Sequence, residues 1–517
     1  MSILTVENVT HGFGSRQILD DASFRLLNGE HVGLVGANGE GKTTFLKIIT
    51  GELMPDEGKI SWCNRITTGY LDQHASLDQN KTIREILREA FKPMFDLEKE
   101  MLEMYDKMAE VSEAEVDRLM NETADISTIL ENGGFYIIDV KIDEISMGLG
   151  LFEIGLDRKI SELSGGQRTK VLLTKLLLEN PMILILDEPT NYLDENHILW
   201  LKNYLQNYEN AFILVSHDTT FMNSVVNVIY HVENSVLTRY SGDYDNFIEM
   251  NELKKRQIKQ AYDKQQKEIA DLEDFISRNK ARVATTNMAK SRQKKLDKMD
   301  IIEIAKEKVK PKFAFKEART TGRYVIKAEN LVLGYTEPLT KPMDLELERG
   351  QKVAIRGVNG LGKSTLLNTL LKIIPPISGE IELDQFLTLG YFKQEEISSD
   401  NTALEEIHEE YPSMTIGEVR SVLAHCGLTY EHIDSKVRVL SGGENAKVRL
   451  CKIMHRDMNL LVLDEPTNHL DVDAKDELKR AIKEFRGTVL LVSHEPEFYN
   501  DVCTHIWDLE KWTTKIV

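Results

Sequence analysis

The sequence predicts a tandem α/β protein, with two nucleotide-binding domains built on parallel sheets, a helical insertion in the first domain and a helical hairpin between the two. Three observations predict it. A short apolar strand, a glycine-rich loop and a helical pattern follow one another twice, in HVGLVGANGEGKTTFLKIIT and KVAIRGVNGLGKSTLLNTLL. An apolar run ends in Asp-Glu twice, in MILILDEPT and NLLVLDEPT. The motifs also keep one order and nearly constant spacing, the mark of an internal repeat. Lys42 is as far from Gln73 as Lys363 is from Gln394. Ser164, Asp187 and His217 recur at one constant offset as Ser441, Asp464 and His494, whereas Lys42 and Lys363 stand farther apart than that offset. The first copy therefore carries an insertion of about 44 residues between Gln73 and Ser164, an addition to one unit of the repeat.

Both loops satisfy G-x-x-x-x-G-K-[ST], in which backbone N–H groups and a helix N-terminus cradle phosphate. Lys42 and Lys363 are expected to reach the terminal phosphates of a nucleotide, Thr43 and Ser364 to hold Mg²⁺, and Thr44 and Thr365 to follow them in the site. Gly36, Gly39 and Gly41 around Asn38, like Gly357, Gly360 and Gly362 around Asn359, let the backbone approach without a Cβ. Asp187 and Asp464 end buried strands and are expected to anchor Mg²⁺ through water. The adjacent Glu188 and Glu465 would polarise the attacking water, because phosphoryl transfer needs positioning and charge neutralisation more than covalent chemistry. His217 and His494 close the strands AFILVSH and TVLLVSH, within reach of a γ-phosphate.

At 517 residues the chain divides into a first domain at 1–242, a linker at 243–322 and a second domain at 323–517. Cys63, Cys426, Cys451 and Cys503 form no C-x-x-C pair, which argues against structural zinc or a disulfide framework and suits a reducing compartment. No run approaches a membrane span, and MSILTVENVT has no signal-peptide pattern, so a soluble cytoplasmic protein is expected. The net charge of −20 hides a local reversal: residues 254–312 hold 18 Lys/Arg against 9 Asp/Glu. That asymmetry points to a polyanion contact.

In the insertion, Met94, Leu97, Met101, Met104 and Met108 repeat at helical spacing, as do Val116, Leu119, Thr123, Ile126 and Leu130. The pattern predicts an antiparallel helical arm over about 92–133, its second helix opened by a capping box at Ser112 and Glu115. The linker reads as a long helix from Asp243 to about Ser277 and a second from near Asn287 to Val309, ahead of Pro311. At its tip Arg278, Lys280, Arg282, Lys290, Arg292, Lys294, Lys295 and Lys298 face only Asp297. A basic apex without aromatic residues suits phosphate contacts to structured RNA better than base stacking.

LSGGQ, from Leu163 to Gln167, and LSGGE, from Leu440 to Glu444, precede Asp187 and Asp464 by the same distance. With the motifs above they resemble the ATP-binding-cassette superfamily over nearly the whole chain. The resemblance implies head-to-tail pairing of the cassettes within a monomer. One site would join Lys42, Gln73, Asp187, Glu188 and His217 to Ser441, Gly442, Gly443 and Glu444. The other would join Lys363, Gln394, Asp464, Glu465 and His494 to Ser164, Gly165, Gly166 and Gln167. Gln73 and Gln394 would be further Mg²⁺ ligands, and Phe13 and Tyr335 look like the family's adenine-stacking aromatics. Glu444 departs from the common Gln of the signature.

Twin cassettes without membrane domains, an arm and a basic helical linker resemble the ABC-F family. FISRNKARVATTNMAKSRQKKLDKMD is similar to the linker of its bacterial housekeeping, short-arm branch. The resemblance implies an ATPase bound at the ribosomal tRNA exit site, its linker reaching peptidyl-tRNA and its arm meeting ribosomal RNA or protein. Two other readings stand beside it. One is an antibiotic-resistance member of the same family, in which an extended linker loop is expected. The other is the ATPase subunit of a transporter, in which a basic hairpin between fused cassettes has no role.

Overall fold

The computed structural model describes all residues except 1, 14–15, 38, 65, 72–76, 109–111, 192, 280–285, 300–309, 336, 358–360, 394–398, 469 and 515–517. Asn38, Gln73, Asn359, Gly360, Gln394, Lys280 and Arg282 therefore lie outside the described residues.

Both Asp-Glu runs form strands that are buried on both faces, which is why they read as continuous apolar stretches rather than alternating ones. In the first cassette six strands lie in the order Thr68–Leu71, Ile183–Asp187, Ala211–Val215, His31–Val35, Val228–Glu233 and Val236–Ser241. All neighbours are parallel except the last pair. The second cassette repeats the arrangement with five parallel strands: Leu389–Phe392, Leu460–Asp464, Thr488–Val492, Lys352–Arg356 and His505–Asp508. Each cassette adds a three-stranded antiparallel sheet, centred on Ser2–Phe13 in one and on Tyr324–Val332 in the other.

Period-two alternation sorts the core. Ile183 and Ile185 face Leu34, Phe24 and Phe45 beneath the antiparallel sheet, while Leu184 and Leu186 face Leu201, Leu205 and Phe221 on the helical side. Burial on both faces fixes the strand register, because a one-residue slip would exchange the two sets. The glycine-rich loop thus leaves the sheet from an interior strand, between two packed layers.

The insertion forms the helices Lys92–Met108 and Glu113–Gly133, which pack chiefly on each other. Their base is anchored where Phe91, Met94 and Phe95 meet a cluster containing Ile86, Leu87 and Ile142. Farther out, Leu102, Tyr105 and Met120 are exposed, as in an arm that leaves its cassette. The capping box does not form: Ser112 is the N-cap, yet its side chain makes no capping hydrogen bond, and only its carbonyl accepts from the Glu115 N–H at 3.0 Å.

The linker helix Tyr244–Asn279 starts where Asn223 and Asp245 exchange hydrogen bonds of 2.7 and 3.1 Å. An apolar stripe of Leu253, Ile258, Tyr262, Ile269, Leu272 and Ile276 runs along it at helical spacing. Leu272 and Ile276 are buried near the second helix, whereas Leu253 and Ile258 are exposed. That second helix is described over Thr286–Asp297, and residues 300–309 of its expected span lie outside the described residues. The Met299 N–H donates to the Leu296 carbonyl in a turn after Asp297. The chain then rejoins the second cassette: Lys310 pairs with Asp473 at 2.9 Å, and the fully buried Phe313 donates its N–H to Glu477 at 2.9 Å.

Phe45 sits on the helix after the first glycine-rich loop, fully buried and edge-on to Phe24 at 5.2 Å. Phe45→Ala is expected to cost about 3–5 kcal/mol. Calorimetry should show a lower first-cassette transition and an unmoved second one.

Candidate functional site

Each loop leads directly into a helix, Lys42–Thr50 or Lys363–Leu370. The residue before it, Gly41 or Gly362, has φ of +96° or +97°, a left-handed backbone that glycine adopts at little cost. At Gly41 space also demands glycine, since a Cβ would stand 2.4 Å from Ile18 Cγ2. The lysines that follow are buried. Lys42 Nζ donates to the carbonyls of Gly36 and Ala37 at 2.7 and 3.1 Å, and Lys363 Nζ to that of Gly357 at 2.9 Å. Burial lowers the pKa of both lysines, that of Lys363 to about 8, against the opposing pull of nearby carboxylates.

Those carboxylates come from the neighbouring strand end. Thr43 Oγ1 donates to Asp187 Oδ2 at 3.1 Å, and Ser364 bonds Asp464 in the same way. Glu188 and Glu465 have φ of 51° and 49°, unusual for a side-chain-bearing residue. Both are pinned there by an N–H donated to the adjacent strand, at Val215 (2.9 Å) or Val492 (3.0 Å). Each then faces its histidine. The His217 N–H donates to Glu188 Oε2 at 3.2 Å, His217 Nε2 stands 3.5 Å from Oε1, and His494 Nε2 stands 3.2 Å from Glu465 Oε1.

The two acid pairs are shifted differently by their surroundings. Burial and the neighbouring Asp187 push Glu188 well above the usual carboxylate range. In the second cassette burial and Glu465 push Asp464 up to about 6. Burial would raise Glu465 as well, but His494, Lys363 and the Asn468 amide together outweigh this and hold it below its ordinary value.

Two cavities lie between the cassettes. One, of about 450 Å³, is lined by Gly39, Gly41, Lys42, Thr43, Thr44, Asp187, Glu188 and His217, and by Ser441, Gly442 and Gly443 from the other cassette. The larger, of about 1230 Å³, brings Gly362, Lys363, Ser364, Thr365, Glu465 and His494 to Ser164, Gly165, Gly166 and Gln167. Each loop therefore faces the signature segment of the opposite cassette. The Thr220 hydroxyl donates to Glu497 across the same interface at 2.8 Å.

Ser164 and Ser441 are helix N-caps with full capping boxes. The Ser164 N–H donates to Gln167 at 3.0 Å and the Ser441 N–H to Glu444 at 2.9 Å. Glu444 therefore does what Gln167 does, since the box asks only for an acceptor oxygen. The two aromatics part company. Tyr335 lines the larger cavity, whereas Phe13 lies outside the lining of the smaller one, exposed and edge-on to His11. Sequence reasoning missed Asn468, whose amide donates to Glu465 at 2.8 Å, and Lys170, which lines the larger cavity. The repeated P-T-N after each Asp-Glu was the available signal for the first; nothing in the repeat distinguished the second.

A family model described as ABC transporter matches residues 19–191 and 340–468, and a second with the same description matches 230–315. The uncharacterized ABC transporter ATP-binding protein YfmM of Bacillus subtilis is 59% identical, covering 100% of both chains. ABC transporter F family member 5 of Arabidopsis thaliana is 35% identical over 98% of this chain and 74% of its own. Among solved structures, the RNase-L inhibitor superposes with a TM-score of 0.59 at 21% identity, covering 97% of this chain and 87% of the other. An archaeal ribosome recycling factor, aABCE1, solved with a ribosomal stalk protein, gives 0.58 at 22% identity with the same coverage. At such identities the structural likeness is one of fold. No helix among the described residues is long and apolar enough to cross a membrane.

An arginine at Ser441 would project a cation into the cavity that holds Lys42. Ser441→Arg is expected to weaken azido-ATP photolabelling of the first cassette by roughly tenfold, about 1.4 kcal/mol, and to spare the second. Ser164→Arg should do the reverse. Loss confined to the substituted cassette's own loop would exclude pairing in trans.

Proposed function

The chain belongs to the ABC-F family of ATP-binding-cassette ATPases, and we propose that it is a translation factor whose ATP-bound, closed form docks on the ribosome and whose hydrolysis of ATP releases it. The observation that carries this reading is a basic helical hairpin set between two cassettes that face each other across two cavities. Each site takes its phosphate-binding loop from one cassette and its signature serine and glycines from the other. Glu188 and Glu465 orient the attacking water, with His217 and His494 beside them.

The donor set fits Mg²⁺, which favours hard oxygen ligands: a hydroxyl and a carboxylate already meet at Thr43–Asp187 and Ser364–Asp464. Asp464 Oδ1 is buried without a hydrogen bond, as a metal-facing oxygen would be. Thr43, Asp187 and Gln73 would hold one ion, and Ser364, Asp464 and Gln394 the other. Bound there, Mg²⁺ supplies charge neutralisation for the β- and γ-phosphates.

The linker contacts ribosomal RNA and tRNA near the exit site through its tip. Three of its cations already have partners: Arg278 pairs with Asp274 at 2.9 Å, Lys295 with Glu268 at 2.6 Å, and Arg292 lies 3.6 Å over the Phe275 ring. Exposed pairs of this kind are worth little and can be exchanged for phosphate. Lys290, Lys294 and Lys298 are exposed and have no ion pair among the described residues. The two linker helices end and start at Asn279 and Thr286, a short tip that favours the housekeeping role over an antibiotic-resistance one, where an extended loop is expected. The ribosome-related fold neighbours agree in kind with this reading.

Two outcomes test it. Glu188→Gln with Glu465→Gln should keep ATP binding and lose turnover, so that the protein accumulates on ribosomes with ATP and blocks translation; steady-state hydrolysis at the parent rate excludes these roles. In that background, Lys290, Lys294 and Lys298→Gln should flatten the logarithmic salt dependence of ribosome cosedimentation by roughly 2–3 units, at ~0.7–0.9 per lost phosphate contact. An unchanged slope would mean that the basic run is a solvated helix face.

A further inference from the structure

The repeat makes the two cassettes comparable position by position, and one buried lysine behaves differently in the two copies. Lys170 and Lys447 are equivalent, separated by the same offset as the signature serines, each on the helix that those serines open. Both are buried, at 7% exposure. Lys447 is tied down: its ammonium pairs at 2.9 Å with Asp471, the N-cap of the helix Val472–Glu484. Lys170 is not. Asp194, the counterpart of Asp471, is taken by His197, whose Nδ1 stands 2.6 Å from its carboxylate and whose N–H donates to it at 3.1 Å. The second cassette has Ala474 at the position of His197, so the competition exists in one copy only. Gly150 secures the ring, since a Cβ there would stand 2.4 Å from His197 Cε1 and Nε2.

The displaced lysine has somewhere to go. Among the described residues the Lys170 ammonium makes no hydrogen bond or ion pair, and its side chain lines the larger cavity with Ser164, Gly166 and Lys363. It is near enough to Lys363 for its charge to help lower that lysine's pKa. Lys447 lies outside the lining of the smaller cavity; from across the interface Lys42 feels the Asp471 carboxylate, whereas Lys363 feels Lys170 as well as the carboxylate of Asp194. A buried ammonium with no hydrogen bond or ion pair, balanced only by the longer-range pull of Asp194 and Glu153, is costly, and a polyphosphate is the partner that such a cavity can supply.

We propose that Lys170 is a further phosphate-binding residue of the site built on Lys363, kept available by His197, so that this site holds the triphosphate of ATP with one more cation than its twin. The proposal rests on the reading of two composite ATP sites given above. It makes the sites unequal through residues outside the loop, the acid pair and the signature.

The test is azido-ATP photolabelling of the full-length chain, with labelled peptides assigned to each cassette and ATP competition giving an affinity per site. Lys170→Gln should weaken ATP binding at the second cassette by roughly tenfold, leave the first nearly unchanged, and be rescued by Lys170→Arg. His197→Ala should lower the same affinity without touching Lys170, because the freed Asp194 can capture it as Asp471 captures Lys447. Adding Asp194→Asn to His197→Ala should restore binding. If Lys170→Gln destabilises the chain, seen as labelling lost at both cassettes, the His197→Ala and Asp194→Asn series decides alone. Wild-type affinity at the second cassette in Lys170→Gln, or in His197→Ala where Lys170→Gln does not fold, overturns the proposal. Ser164→Arg separates the two layers of argument: if it too leaves the second cassette's labelling intact, the composite-site reading fails, whereas loss with Ser164→Arg but not with Lys170→Gln removes Lys170 alone.

Discussion

A buried ammonium group governs each cassette. Lys42 and Lys363 are only 9% and 6% exposed, and such a charge is tolerable only where oxygens surround it. The loop carbonyls of Gly36, Ala37 and Gly357 supply the first of them, which requires a backbone folded tightly enough to need Gly41 and Gly362 in left-handed conformations. Carboxylates on the adjacent strand supply the long-range balance, which requires the strand Ile183–Asp187 or Leu460–Asp464 to end level with the loop. Parallel pairing with fully buried strands delivers that alignment.

The same need accounts for the strained acids. Glu188 and Glu465 sit just past their strands with positive φ, and their N–H groups are bonded to the next strand. A non-glycine residue there costs on the order of 1–3 kcal/mol, which the surrounding sheet must over-determine. In return each carboxylate turns back toward a histidine at the end of the neighbouring strand. The histidine contact is closer in the second cassette; burial raises the aspartate in both copies, but the glutamate is raised in the first and held below its ordinary value in the second. Two copies of one motif set thus hold their glutamates in different electrostatic surroundings.

Much of this was legible in the residues. The two loops, the Asp-Glu strand ends and the signature serines are local patterns whose geometry follows from strand, turn and helix rules, and all stand at the expected elements. Glu444 was legible as a tolerated departure, but the capping bond that makes it equivalent to Gln167 was not. Other features escaped for the same reason. Ser112 has a capping-box sequence without the bond, and the stripe from Leu253 to Ile276 is helical throughout but buried only at Leu272 and Ile276. Lys170 could not be singled out, because its freedom depends on His197 reaching a carboxylate three residues away, through a ring position left open by Gly150.

The linker is fastened at both ends to ground next to the nucleotide-facing elements. It enters through Asn223 and Asp245, on the helix that follows His217, and leaves through Lys310, Phe313 and Arg480, on the helix capped by Asp471. One foot therefore stands on the first cassette and the other on the second. The helix Tyr244–Asn279 has 36 residues, ~54 Å at about 1.5 Å each. A strut of that length works as a lever: a small change in the gap between its feet becomes a much larger sweep at the basic tip. A load applied at the tip returns to the feet with the same mechanical advantage, as a force on the seam between the cassettes.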